Sequence, residues 1–87
     1  MSAQVRLQAR DGEPLQDEAV RAIVISMAEA IGERTGVSVR VLRTESNCVE
    51  LDVDGTQLEA TALAAELRRL TDAWHREKYG CELWSIT

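Results

Sequence analysis

Residues 36–55, "GVSVRVLRTESNCVELDVDG", decide the fold. Val37, Val39 and Val41 alternate with Ser38, Arg40 and Leu42; after the polar link "TESN" (44–47), Val49, Leu51 and Val53 alternate with Glu50 and Asp52. A period of two sends successive side chains to opposite faces, so each run reads as a strand with one apolar side. The short polar link predicts a hairpin between them. Their second faces carry charge, Arg40 on the first strand and Glu50 with Asp52 on the second. Either that face recognises a partner or the two strands neutralise one another.

Upstream, "QVRLQAR" (4–10) alternates Val5, Leu7 and Ala9 with Gln4, Arg6, Gln8 and Arg10, a half-buried strand. "DGEP" (11–14) is turn chemistry, and Pro14 suits the first turn of a helix. Over 15–35, Val20, Ile23, Val24, Met27 and Ile31 recur at helical spacing, with Asp17 and Glu18 near the positive end of the helix dipole. Gly36 then sits where a left-handed residue ends a helix. Downstream, Thr56 and Glu59 have the spacing of a capping box, and a helix over 56–79 places Ala60, Leu63, Leu67, Leu70 and Trp74 on one face. Arg76 and Lys78 fall in its last turn, and Gly80 stops it. "CELWSI" (81–86) predicts a final short strand.

The order strand, helix, strand, strand, helix, strand predicts a single α+β domain over residues 1–87. The expected form is a ferredoxin-like two-layer sandwich, with two helices on one face of a four-stranded antiparallel sheet in order 4-1-3-2. The strands are expected at about 4–10, 37–44, 48–54 and 81–86. This places acidic strand 48–54 between strands bearing Arg6 and Arg10 on one side and Arg40 on the other. Opposite charges across strands stabilise a sheet by about 0.2–1 kcal/mol per pair, so the charged face is expected to be largely self-neutralised.

Composition bounds the function. The chain has 87 residues, 45% of them hydrophobic, with no Phe and only Trp74, Tyr79 and Trp84 as aromatics. Fifteen acids against 10 bases give a net charge of −5, which repels phosphate backbones and argues against nucleic-acid binding. The central strands offer no aromatic on which a base could stack. The N-terminal "MSAQVRLQAR" has no apolar signal core, and no segment is long and apolar enough to span a bilayer. With Cys48 and Cys81 far apart, a cytoplasmic protein with reduced thiols is expected.

No catalytic, cofactor or metal motif is present. There is no phosphate-binding loop and no dinucleotide fingerprint. His75 is the only histidine, expected to face solvent, and Ser26 and Ser38 lie in regular elements without a nucleophile-elbow context. Cys48 and Cys81 are expected about 9–10 Å apart across strand one, beyond disulfide reach and without zinc-site spacing. Asp52 and Asp54 lack the further ligands of a calcium loop.

Surplus apolar positions remain. Ala22 and Ile25, and Leu58, Ala62 and Ala65, lie opposite the core stripes of the helices. In the last strand, alternation allows Leu83 inward with Trp84 and Ile86 outward, or the reverse. The candidate interface is Arg6, Gln8, Arg40, Leu42, Glu50, Asp52, Trp84 and Ile86. The expected function is a non-enzymatic protein–protein interaction or regulatory module, self-associating through its open sheet face or an edge strand. Its expected partner is another protein or a second copy, without cofactor, nucleic acid or membrane. The element order, with Asp11-Gly12 between the first strand and first helix, is similar to that of ACT domains. That resemblance implies a regulatory domain that pairs through its sheet and senses a small ligand. Small size and acidity also suit an inhibitor of a host protein.

Overall fold

The strand Cys48–Asp54 is the middle of the sheet, pairing antiparallel with a strand on each side while Val49, Leu51 and Val53 are buried in the core shared with the helices. The computed structural model describes residues 2–10 and 12–84. In it β1 (Ala3–Gln8) and β2 (Ser38–Thr44) flank β3 (Cys48–Asp54) in an antiparallel sheet ordered β1-β3-β2. The register sets Val5 against Leu51 and Arg6 against Glu50 on one side, and Val39 against Val53 and Arg40 against Asp52 on the other. A bulge follows Val41, so Arg43 rather than Leu42 comes opposite Glu50.

Helices α1 (Glu18–Thr35) and α2 (Gln57–Tyr79) pack together on one face, α1 beside β2 and α2 beside β1. Pro14–Gln16 forms a 3-10 turn, and α1 proper starts at Glu18 because the Asp17 carboxylate accepts the Ala19 N–H at 2.9 Å. Gly36 at φ 77° ends α1, with the Val37 N–H bonded to the Gly32 carbonyl at 2.8 Å. Gly32 lets α1 approach β2: a Cβ there would lie 2.6 Å from the Val37 carbonyl oxygen. The capping box at α2 is complete, Thr56 Oγ1 accepting from the Glu59 N–H and Glu59 accepting from the Thr56 N–H.

Leu7, Val49, Leu51 and Val53 from the sheet meet Val20, Val24, Ala28 and Ile31 from α1 and Ala60, Leu63 and Leu67 from α2. The buried stripe of α2 continues to Thr71 and His75, while Leu70 and Trp74 are half-buried at its margin. His75 is therefore an inward residue, contrary to the solvent-facing position expected for it.

The expected four-stranded ferredoxin-like sheet in order 4-1-3-2 is corrected to three strands and two helices, still α+β. After Gly80 the chain turns back along α2 instead of forming a strand beside β1. The cause is Asp72, whose Oδ1 accepts both the Leu83 N–H at 2.8 Å and the Trp84 N–H at 2.9 Å. Those amides are spent on a helix side chain. Toward β1 there remain an isolated antiparallel bridge between Ala9 and Trp84 and the Arg10 N–H bonded to the Leu83 carbonyl at 3.0 Å. The last part of the expected strand 81–86 lies outside the described residues.

Candidate functional site

The open sheet face is built by the alternation of β1 and β3 and by the part of β2 before its bulge. Arg6, Gln8 and Arg40 are exposed there, and Glu50 and Asp52 are half-buried between them. Arg40 Nη2 donates to Asp52 Oδ2 at 3.3 Å. Glu50 lies between Arg6 and Arg43 in the register but forms no ion pair among the described residues. The Arg6 guanidinium instead reaches Gln8 Oε1 at 3.3 Å and Cys48 Sγ at 3.8 Å. Arg10, expected beside the acidic strand, lies past the end of β1 and pairs with Glu82 at 3.8 Å.

Cys48 stands at the end of this face and is fully buried. Its thiol donates to Glu45 Oε2 at 3.2 Å. Burial, then the Glu45 carboxylate, push that thiol above its ordinary value.

Trp84 does not belong to the open face. It is 0% exposed, within the core, and its indole Nε1–H donates to Thr71 Oγ1 at 2.6 Å. The second of the two arrangements is excluded too, since Leu83 is also buried. A bend in place of a strand lets both side chains turn inward. Leu42 is 41% exposed at the bulge, and Ile86 lies outside the described residues. The apolar centre expected for a face-to-face interface is therefore missing from the described residues. Leu58 is 79% exposed, on the opposite layer.

The outer edge of β1 is a different kind of surface. Backbone groups alternate direction along an antiparallel strand. The Ala9 N–H points inward to the Asn47 carbonyl at 2.7 Å, and the Arg10 N–H points outward to the Leu83 carbonyl. Counting back through the continuous register, Gln4, Arg6 and Gln8 turn their backbone groups to the outer edge. The outer edge of β2 is interrupted by its bulge and carries Arg40 and Arg43.

A cleft of about 630 Å³ opens where the 3-10 turn and the start of α1 meet the last turn of α2. Glu13, Pro14, Gln16, Asp17, Val20, His75, Tyr79 and Cys81 line it. His75 Nδ1 lies 2.7 Å from the Cys81 carbonyl oxygen. A carbonyl only accepts, so Nδ1 carries the hydrogen and Nε2 is the nitrogen left open. The His75 and Tyr79 rings lie 4.6 Å apart, and the Tyr79 hydroxyl donates to Asp17 Oδ2 at 3.4 Å. Partial burial, then the Asp17 charge, raise the Tyr79 phenol above its usual value. The sequence carried one signal for this place: Leu67, Thr71 and His75 follow at intervals of four, which continues the buried stripe, and Tyr79 comes one turn later at the exposed rim.

Among the described residues no group of three or more His, Cys, Asp or Glu side chains is placed to hold a metal ion, and Cys48 and Cys81 are both free. No described helix is long and apolar enough to cross a membrane. No protein-family model, curated protein or solved structure matches the chain.

Proposed function

We propose that the chain is a non-enzymatic interaction module that self-associates through the outer edge of β1. The observation that carries this reading is the outward set of backbone donors and acceptors at Gln4 and Arg6, which have no backbone partner among the described residues. Such an edge is a template for a further strand. A second copy fits it by symmetry. With Val5 opposite Val5 of the other copy, Gln4 of each stands opposite Arg6 of the other, and the two residues exchange backbone hydrogen bonds. The neighbouring register would set Arg6 directly against Arg6, which repulsion disfavours. The β2 edge suits the role less, because a bulge interrupts it, one of the devices by which edges are kept from pairing.

The polar character of the open face supports an edge-on rather than a face-on contact. Its acidic central strand and the net charge of −5 support a protein partner over nucleic acid. Free, separated cysteines support a reducing, cytoplasmic setting. The likeness to ACT domains rested on a six-element order that the described residues do not complete.

Sedimentation at micromolar concentration tests the proposal, together with the variant Gln4→Pro. Proline at this position removes an outward donor and spares the β1–β3 ladder. The expected result is a dimer for the full chain and a folded monomer for the variant. A monomeric full chain, or a dimer that Gln4→Pro leaves intact, overturns the reading. So does a chain ending at residue 84 that dimerises when the full chain does not, since the chain's own last residues would then occupy the edge.

A further inference from the structure

We infer that the cleft between the 3-10 turn and the end of α2 binds a small organic cation carrying N–H donors, an amine or a guanidinium compound. Three features of the lining converge on that chemistry. The first is the His75 ring. It is only 7% exposed, yet Nε2 has no partner among the described residues. The one described side-chain nitrogen or oxygen that is both sealed from solvent and unpartnered is Arg68 Nε, so His75 Nε2 is reached from outside, through the cleft that the ring lines. With Nδ1–H committed to the Cys81 carbonyl, the neutral ring presents Nε2 as an acceptor and requires a donor from the occupant. That bond fixes the tautomer and the orientation of the ring.

The second feature is charge. Glu13 and Asp17 line the cleft and, among the described residues, no Lys or Arg does. Both carboxylates are held in place by protein contacts that use only part of their capacity. Asp17 Oδ1 caps the Ala19 N–H and Oδ2 meets the Tyr79 hydroxyl, while Glu13 Oε1 accepts from Ser46 Oγ at 3.2 Å. An ionised carboxyl group accepts about four hydrogen bonds, so both groups have acceptor sites to offer. An anion would be repelled here, and no described metal-binding cluster exists to claim the site for an inorganic cation.

The third is shape. The volume falls within the range of about 300–1,000 Å³ found for small-molecule sites. Pro14 and Val20 supply apolar wall, and Tyr79, half-exposed and tilted at 36° against His75, supplies an aromatic ring that attracts a cation. The occupant's N–H groups would meet His75 Nε2 and the Asp17 carboxylate, with its carbon skeleton against Pro14 and Val20.

Agmatine and 1,4-diaminobutane are the probes, with tetramethylammonium (charge without N–H) and urea (N–H without charge) as controls, followed by NMR of the full-length protein. Expected are saturable shifts of the His75 and Tyr79 ring signals with at least one of the two amines and none with the controls. Two conservative variants localise the effect. Asp17→Asn keeps an N-cap acceptor but loses the charge, and His75→Asn keeps a donor for the Cys81 carbonyl but loses Nε2. Each is expected to weaken binding about tenfold or more, the loss of one charge-assisted or buried hydrogen bond, while Glu77→Gln on the exposed side of α2 leaves it unchanged. The inference is overturned by the absence of saturable binding, by tetramethylammonium binding as well as the amines, or by affinities that neither variant alters.

Discussion

Thr71 is a hydroxyl in a core lined mostly by aliphatic side chains, together with the Trp84 indole. It is buried, it donates to the Leu67 carbonyl at 2.6 Å, and it accepts from the Trp84 indole. A buried indole N–H needs such an acceptor, and a helix position four residues after Leu67 is where one can be offered. Thr71→Val keeps the shape and removes the acceptor, leaving the Trp84 N–H unsatisfied. Urea denaturation is expected to show a loss of about 1–3 kcal/mol. An unchanged midpoint would mean that the indole finds another acceptor. This pairing explains why the side of Trp84 was not legible in the sequence. Alternation in "CELWSI" permits either face, and the deciding group lies 13 residues away on another element. His75 was misplaced for a related reason. A polar residue near a helix end is ordinarily exposed, and only its spacing from Leu67 and Thr71 gives its inward direction.

At the scale of elements, what local chemistry specifies was readable. The capping box at Thr56, the left-handed Gly36 and Gly80, and the alternation of β1 and β3 all appear where their residues place them. The bulge after Val41 and the missing fourth strand were not readable, because neither is a property of one segment. In "VLRT" nothing marks Leu42 as the extra residue; the register is fixed by the partner strand. The segment after Gly80 has strand composition, but Asp72 competes for its amides with a charged acceptor, and hydrogen bonds to charged groups outweigh neutral ladder bonds. Arg76 and Arg10 reinforce the outcome by pairing with Glu82 at 3.0 and 3.8 Å. Asp72→Ala should therefore free residues 81–84 from α2. The expected loss is about 2 kcal/mol, with a red shift in tryptophan emission as Trp84 meets water. Unaltered emission would show that indole packing alone holds the segment. The candidate interface fared unevenly on the same grounds. Arg6, Gln8, Arg40, Glu50 and Asp52 do share a face, whereas Trp84 was drawn away from it by α2.

Over the whole molecule, three strands carry helices on one side only, in a body 36 × 24 × 21 Å across. Cys48 is the place where the uncovered side is nonetheless sealed, by Arg6, Glu45 and the strand pairing around it. Its consequence is a dependence of global stability on pH. Burial raises the thiol above its ordinary value of 9.0, so the folded state holds the proton more tightly than the unfolded chain. Stability is unaffected below that ordinary value and falls as pH rises past it and through the raised folded value. Urea midpoints at about pH 8 and about pH 10 should separate, and Cys48→Ala should shrink the difference. Tyr79, also raised, acts in the same direction above its own ordinary value of 10.0. An equal difference in the variant would assign the whole effect elsewhere.

The fastening of residues 83 and 84 to Asp72 and Thr71 also has a mechanical side. Tension on a chain continuing past Trp84 would load α2 through two hydrogen bonds and an indole socket, and would reach the end of β1 directly only through the single Arg10–Leu83 backbone hydrogen bond and the Arg10–Glu82 pair. The weak link under such a pull is the anchor itself, so the strands would stay paired after the tether had let go.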